Sequence, residues 1–174
     1  FYLDRPTDNI RLNKDLAGGA LMDVGCYPIT FARYVYGREP VAVTAECRID
    51  PDYGVETHTS MVLDFGGDAH AALVAGFDAA GGRGATILGQ QGYIAVPNPY
   101  HPAEQSSFAL HKGEREEVFS FETGTQPFAP AIEHFNDCLL DGAELMDDAG
   151  GAAATMQVIA GALESARTGR RVEL

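Results

Sequence analysis

Tryptophan is absent from the 174 residues, and cysteine occurs three times, at Cys26, Cys47 and Cys138. An odd number of widely spaced cysteines with no Cys-x-x-Cys pair excludes a disulfide framework, a zinc ribbon and a dithiol redox motif. They read as small apolar side chains of a reducing, cytoplasmic compartment, with a reactive thiol at Cys26 as the alternative. Cationic residues are also scarce, 12 Lys and Arg against 25 Asp and Glu, for a net charge of −13. That balance repels phosphate backbones and anionic lipid, so neither nucleic acid nor a membrane surface is an expected partner. No apolar run approaches the ~20 residues of a membrane span. The five histidines show no paired spacing. His58 and His70 fall on neighbouring strand segments and His101, His111 and His134 elsewhere, so no metal site is expected. No Gly-x-Gly-x-x-Gly occurs, and the cradle for a dinucleotide pyrophosphate is therefore missing. No signal peptide is visible, and the chain opens on Phe1 rather than methionine, as a piece of a longer protein would.

What remains is a globular composition: 45% hydrophobic, 21% charged, with a mean hydropathy of −0.10. A chain of this length buries one sizeable core rather than two. Its most informative stretch is Gly18-Gly19-Ala20-Leu21-Met22-Asp23-Val24-Gly25-Cys26-Tyr27-Pro28, running on to Tyr36. Apolar residues at Leu21, Val24, Pro28, Ala32 and Val35 have the spacing of a helix with one buried stripe, opened by two glycines and closed by Gly37. Asp23 and Tyr27 stand four apart, which places a carboxylate and a phenol on one face, ~6 Å from each other. Gly25 between them offers a place where a flat ligand reaches the backbone, and Pro28 kinks the helix or marks its first regular turn. An ordinary core helix, with Asp23 placed against the positive end of its dipole, fits the same residues.

Asp4–Leu16 is a polar loop, and Phe1-Tyr2-Leu3 before it reads as the tail of a strand. Within the loop, Arg11 brings a guanidinium toward a hydroxyl-rich or carboxylate substrate, or is a solvated charge. Alternation over 41–49, 57–65 and 69–77 predicts a strand and an antiparallel hairpin, turned at Gly66-Gly67. The last of these is apolar on both faces, so the sheet surface away from the helices is expected to be covered by another subunit. Strand segments over 85–88, 93–97, 107–112 and 115–121 follow, with Pro99 and Pro102 in the loop before the third. Gln126 to Pro130 then breaks the chain before a helix with the apolar face Ile132, Phe135, Leu139 and Leu140. A last alanine-rich helix, capped by Asp147 or Asp148 and ended by Gly169, completes a mainly antiparallel α+β pattern with helices on one side.

Gly-Gly-Ala-Leu-Met-Asp-Val-Gly-Cys-Tyr-Pro-Ile resembles the signature of the C-terminal domain of the Gfo/Idh/MocA oxidoreductases. Many members carry histidine where this chain has Tyr27; the glucose-fructose oxidoreductase and dimeric dihydrodiol dehydrogenase branches carry tyrosine. Ala-Thr-Ile-Leu-Gly-Gln-Gln-Gly-Tyr-Ile-Ala-Val-Pro, well downstream, is similar to the same family, and so is the ending Thr-Gly-Arg-Arg-Val-Glu-Leu. The resemblance covers nearly the whole chain and implies an open-faced, mostly antiparallel sheet with helices on one face. Residues 1–174 would be the substrate-binding and oligomerisation domain that follows a dinucleotide-binding Rossmann half, which is absent here together with the family's reactive lysine.

It further implies an oxidoreductase that uses NAD or NADP to exchange hydride with a sugar, cyclitol or related hydroxyl compound. Tyr27 would move a proton at the reacting oxygen and Asp23 would orient substrate or lysine, with Asn9 and Arg11 at the substrate. The isolated chain is expected to bind cofactor poorly and not to turn over. An assembly domain, or a non-catalytic sugar-binding relative, is the alternative.

Overall fold

The computed structural model describes residues 1–101, 103–126, 128–146 and 149–174. In chain order its regular elements are α1 (Cys26–Tyr36), β1 (Ala42–Ile49), β2 (Glu56–Asp64), β3 (His70–Gly76), β4 (Ala85–Gly89), β5 (Gly92–Val96), β6 (Gln105–Lys112), β7 (Arg115–Glu122), α2 (Ala129–Leu140), α3 (Ala149–Thr168) and β8 (Val172–Glu173). They fall into two compact units, Phe1–Gly81 with Asp147–Leu174, and Gly82–Met146. The fold is α+β, and the expected antiparallel strands divide between two four-stranded sheets.

In the first unit the sheet order is β3-β2-β1-β8, every pair antiparallel. Along β2, Thr57, Thr59, Met61 and Leu63 point inward and are buried, while Ser60 and Val62 point outward. One face is therefore apolar, and α1 and α3 cover it. Leu21, Ile29 and Ala32 from the α1 side meet Val43, Ala45, Met61, Leu63 and Phe65 of the sheet and Val158, Ile159 and Ala162 of α3. Arg33 links the two helices by donating to Thr155 Oγ1 at 2.8 Å.

Ser165 is a polar group inside this core. Its Oγ accepts from Ala45 N at 3.0 Å and donates to the carbonyl of Arg170 at 2.6 Å, joining α3 to β1 and to the turn that follows it. Ser165→Ala strands a buried N–H and should cost ~1–3 kcal/mol, read as a lower midpoint in urea with an unchanged slope.

Two local expectations change. Phe1-Tyr2-Leu3 is not a strand: Tyr2 makes a single bridge to Asp78 and Leu3 N donates to Phe77 O at 3.0 Å. The chain leaves the sheet edge there because Arg5 turns to pair with Asp50 and Asp78. Conversely the chain end does pair, Val172 with Val43 and Glu173 with Ala42, a strand too short to show alternation.

The second unit is an antiparallel sheet of order β4-β5-β6-β7 followed by α2. Pro130 sits in the first turn of α2, as the sequence predicts. Its stripe of Ile132, Phe135, Leu139 and Leu140 is apolar but exposed, and α2 carries no buried residue. Pro102, Pro127 and the cap expected at Asp147 or Asp148 lie outside the described residues.

Candidate functional site

The segment ahead of α1 is shaped by side chains that the backbone cannot accommodate. Residues Ile10–Leu12 and Lys14–Leu16 form two tight turns, the first capped by Asn9 Oδ1, which accepts from Arg11 N at 3.0 Å. Leu12 pins this loop into a small core of Ala20, Val55 and Phe77. The loop then folds back on the glycines, with Gly19 N donating to Arg11 O at 2.8 Å and Gly18 N to Asn13 O at 2.9 Å. A Cβ at Gly18 would lie 2.6 Å from the Arg11 carbonyl oxygen. At Gly19, φ is +126° and a Cβ would lie 2.2 Å from Glu56 Oε1. Both glycines are therefore required by close approach, one to the Arg11 loop and one to Glu56.

The helix that follows opens on one α-type bond, Asp23 N donating to Gly19 O at 3.2 Å, and then departs from α geometry. Leu21–Gly25 is a π-helical turn in which Cys26 N donates five residues back to Leu21 O, and regular helix begins at Cys26. Pro28 then falls in the first regular turn after this segment, as one of the two sequence expectations has it. Gly25 does not open the backbone to a ligand. It is buried, and a Cβ there would lie 2.9 Å from Leu21 Cδ2, so its smallness serves packing within the turn. Short π segments of this kind concentrate at functional sites.

On this scaffold Arg11 Nε lies 2.8 Å from Asp23 Oδ2, and Arg11 Nη1 lies 3.5 Å from Asn9 Oδ1. The Asp23 carboxylate holds the Arg11 guanidinium above its usual pKa, and the phenol of Tyr27 is close enough to add to the effect. Asn9, Arg11 and Asp23 are thus brought together, with Tyr27 beside them and 43% exposed. Arg11 is paired with Asp23 while its side chain stays 39% exposed. The pair presents donors and acceptors without net charge, a surface suited to hydroxyl groups. Cys26 Sγ donates to Asp23 O at 3.7 Å, and burial pushes its thiol pKa up, which argues against a reactive nucleophile.

Sequence reasoning missed Glu56. Its side chain is 5% exposed, and Oε1 accepts from Leu21 N at 2.9 Å. Burial raises its carboxyl pKa, partly offset by the N–H groups of Leu21 and of Glu56 itself. The register shift at Arg48/Ile49 explains the omission: Arg48 faces His58 and Ile49 faces Glu56, so Glu56 and Thr57 are both buried and alternation breaks.

The loop has a second anchor. Arg5 pairs with both Asp50 and Asp78, Thr57 Oγ1 donates to Asp78 Oδ2 at 2.8 Å, and Thr7 N donates to the Tyr53 hydroxyl at 3.0 Å. Burial alone would raise the Asp78 carboxyl, but Thr57, Arg5 and Arg48 outweigh it and hold the pKa below the usual range. Asp50 is depressed in the same way, with the N–H groups of Asp52 and Tyr53 and the Arg5 guanidinium outweighing burial. A carboxyl lowered on folding contributes stability above its unfolded pKa and loses it as pH falls through the folded one. Stability should therefore fall as pH drops below about 4, and less steeply in Arg5→Met, measured by urea unfolding across pH.

Among the described residues no three His, Cys, Asp or Glu side chains are placed to hold a metal ion, and no helix is long and apolar enough to cross a membrane. Residues 1–95, which contain the whole constellation, match the family model of the GFO/IDH/MocA C-terminal domain. The chain belongs to the GFO/IDH/MocA family. D-xylose 1-dehydrogenase (NADP(+)) 2 of Haloferax volcanii is 30% identical to it, over 100% of this chain and 54% of that protein. Trans-1,2-dihydrobenzene-1,2-diol dehydrogenase of Xenopus tropicalis is 32% identical over 75% of this chain and 41% of that protein. Among solved structures, aldose-aldose oxidoreductase from Caulobacter crescentus, complexed with glycerol, superposes with a TM-score of 0.88 at 27% identity, over 100% of this chain and 53% of the other. This GFO/IDH/MocA domain spans about half the length of the curated relatives it matches.

Proposed function

We propose that this domain is the substrate-binding and oligomerisation half of an NAD(P)-dependent oxidoreductase acting on a sugar or a related vicinal diol. The observation that carries the reading is the pairing of Arg11 with Asp23 of the π-helical turn, beside the half-exposed Tyr27 in the first turn of α1. The relatives act on D-xylose and on a dihydrodiol, both of them neutral polyols, and the paired charges at the site suit such a substrate. No glycine-rich cradle for a pyrophosphate occurs in the chain, so cofactor binding is assigned to another part of the protein. A nicotinamide, when bound, supplies the hydride chemistry.

The residues present account for the rest. Tyr27 exchanges a proton with the reacting oxygen, donating it when a carbonyl is reduced and taking it when an alcohol is oxidised. Asp23, held in place by Arg11, accepts from a neighbouring hydroxyl and fixes the substrate's orientation, while Asn9 keeps the Arg11 loop in its turn. The test is NADP+ and NAD+ reduction by the full-length protein with D-xylose, D-glucose and trans-1,2-dihydrobenzene-1,2-diol. Turnover of at least one is expected, and failure with all three and with their carbonyl counterparts contradicts the proposal.

Assembly is the second role. On the face of β1–β3 away from the helices, Val62 is 44% and Val74 64% exposed, and Ala72 lies between them. A second copy covering this apolar strip accounts for the two-sided apolar character of β3. Val74→Glu should shift the full-length protein to a smaller species in sedimentation velocity; an unchanged sedimentation coefficient removes this face from the interface. The three cysteines are free thiols, which supports a reducing, cytoplasmic setting.

A further inference from the structure

We propose that Glu56, a residue of the sheet rather than of the site, is a positioning residue that sets the relative orientation of Asp23 and Tyr27. The inference rests on the functional reading above. It starts from Leu21, which is held from three sides. Its side chain is fully buried in the core, its carbonyl accepts the five-residue bond from Cys26, and its N–H donates to Glu56 Oε1 at 2.9 Å.

A helix start leaves its first N–H groups without intrahelical partners, and a side-chain oxygen placed there satisfies one of them. Such a cap is normally supplied by the residue just before the helix. Here it comes from β2, 35 positions away in sequence. It reaches the backbone only because Gly19, with φ +126°, leaves the space that a Cβ would fill.

The consequence is geometric. A π turn holds one more residue than an α turn, and each residue in a helix advances the side-chain direction by about 100°. Closing Leu21–Gly25 as ordinary α-helix would turn Tyr27 by about that angle relative to Leu21 and the Arg11 loop. Glu56 fastens the first residue of the π turn to the sheet, and the Asp23 N–H bond to Gly19 O at 3.2 Å lies within the fastened segment. Burial at Leu21 and the cap at Glu56 together favour the π register, and the register decides which way Tyr27 faces.

The role belongs to the acceptor oxygen and not to the charge, so Glu56→Gln and Glu56→Ala are predicted to differ. In the full-length protein, with D-xylose and NADP+ as probes, Glu56→Ala should lower kcat at least tenfold with KM for NADP+ unchanged, and Glu56→Gln should stay within threefold of the parent. Hydrogen exchange of peptides covering 19–27 should accelerate at least tenfold in Glu56→Ala and stay as in the parent in Glu56→Gln. If Glu56→Ala does not fold, Glu56→Asp, whose acceptor is drawn back by one methylene, takes its place and should show the same losses in smaller degree.

Parental kcat and parental exchange in Glu56→Ala or Glu56→Asp overturn the proposal. So does a Glu56→Gln variant as slow as Glu56→Ala. Tyr27→Phe is assayed alongside: a full rate there refutes the catalytic reading itself, and the exchange measurement then still decides whether Glu56 holds the turn.

Discussion

Tyr27→Phe in the full-length protein should lower kcat at least tenfold while leaving KM for the nicotinamide cofactor within a factor of two. The substitution removes one oxygen from a side chain that is 43% exposed, so the fold is spared and the loss falls on chemistry. Positioned proton transfer contributes typically 10²–10⁴-fold, which makes tenfold a lower bound for a phenol that donates or accepts in the rate-limiting step. Equal kcat values for parent and variant in both directions would remove Tyr27 from the mechanism.

Phe77→Ala should cost ~3–5 kcal/mol, the range for deleting a fully buried aromatic side chain, and that is a large share of the total stability of an ordinary domain. Phe77 is 0% exposed at the end of β3 and forms the floor on which Leu12, Ala20 and Val55 rest, with Val24 against them. Its N–H donates to Thr57 O at 2.7 Å and its carbonyl accepts from Leu3 N at 3.0 Å, which the substitution leaves in place. The loss is therefore of packing under the Arg11 loop. Thermal and urea unfolding of parent and variant measure it; a shift below 1 kcal/mol would mean that the loop does not depend on this floor. Phe77→Leu, which keeps most of the volume, should fall between the two.

How much of this was legible in the sequence depended on how local the cause was. The hairpin of β2 and β3 and the inward set Thr57, Thr59, Met61 and Leu63 follow from alternation, because one face is covered by α1 and α3 and the other is not. Gly37 was readable as the end of α1. The π turn was not, since an apolar stripe spaced by three and four cannot reveal one inserted residue. Long-range causes escaped as well. The need for glycine at position 19 comes from its φ of +126° beside Glu56, and Glu56 itself was hidden by the irregular register opposite Arg48 and Ile49. The Arg11–Asp23 pair joins a loop to a helix turn across the two glycines, and only the fold brings them together. In α2 the periodicity gave the helix correctly, but an apolar stripe does not say what covers it, and Ile132, Phe135, Leu139 and Leu140 stay exposed.

The most direct measurement is a crystal structure of the full-length protein soaked with NADP+ and D-xylose. The account predicts a sugar hydroxyl within hydrogen-bond distance of the Tyr27 hydroxyl and a second hydroxyl on the Asp23 carboxylate, with Arg11 still paired to Asp23. A sugar bound elsewhere, or one bound here with Tyr27 and Asp23 both out of reach, would contradict it.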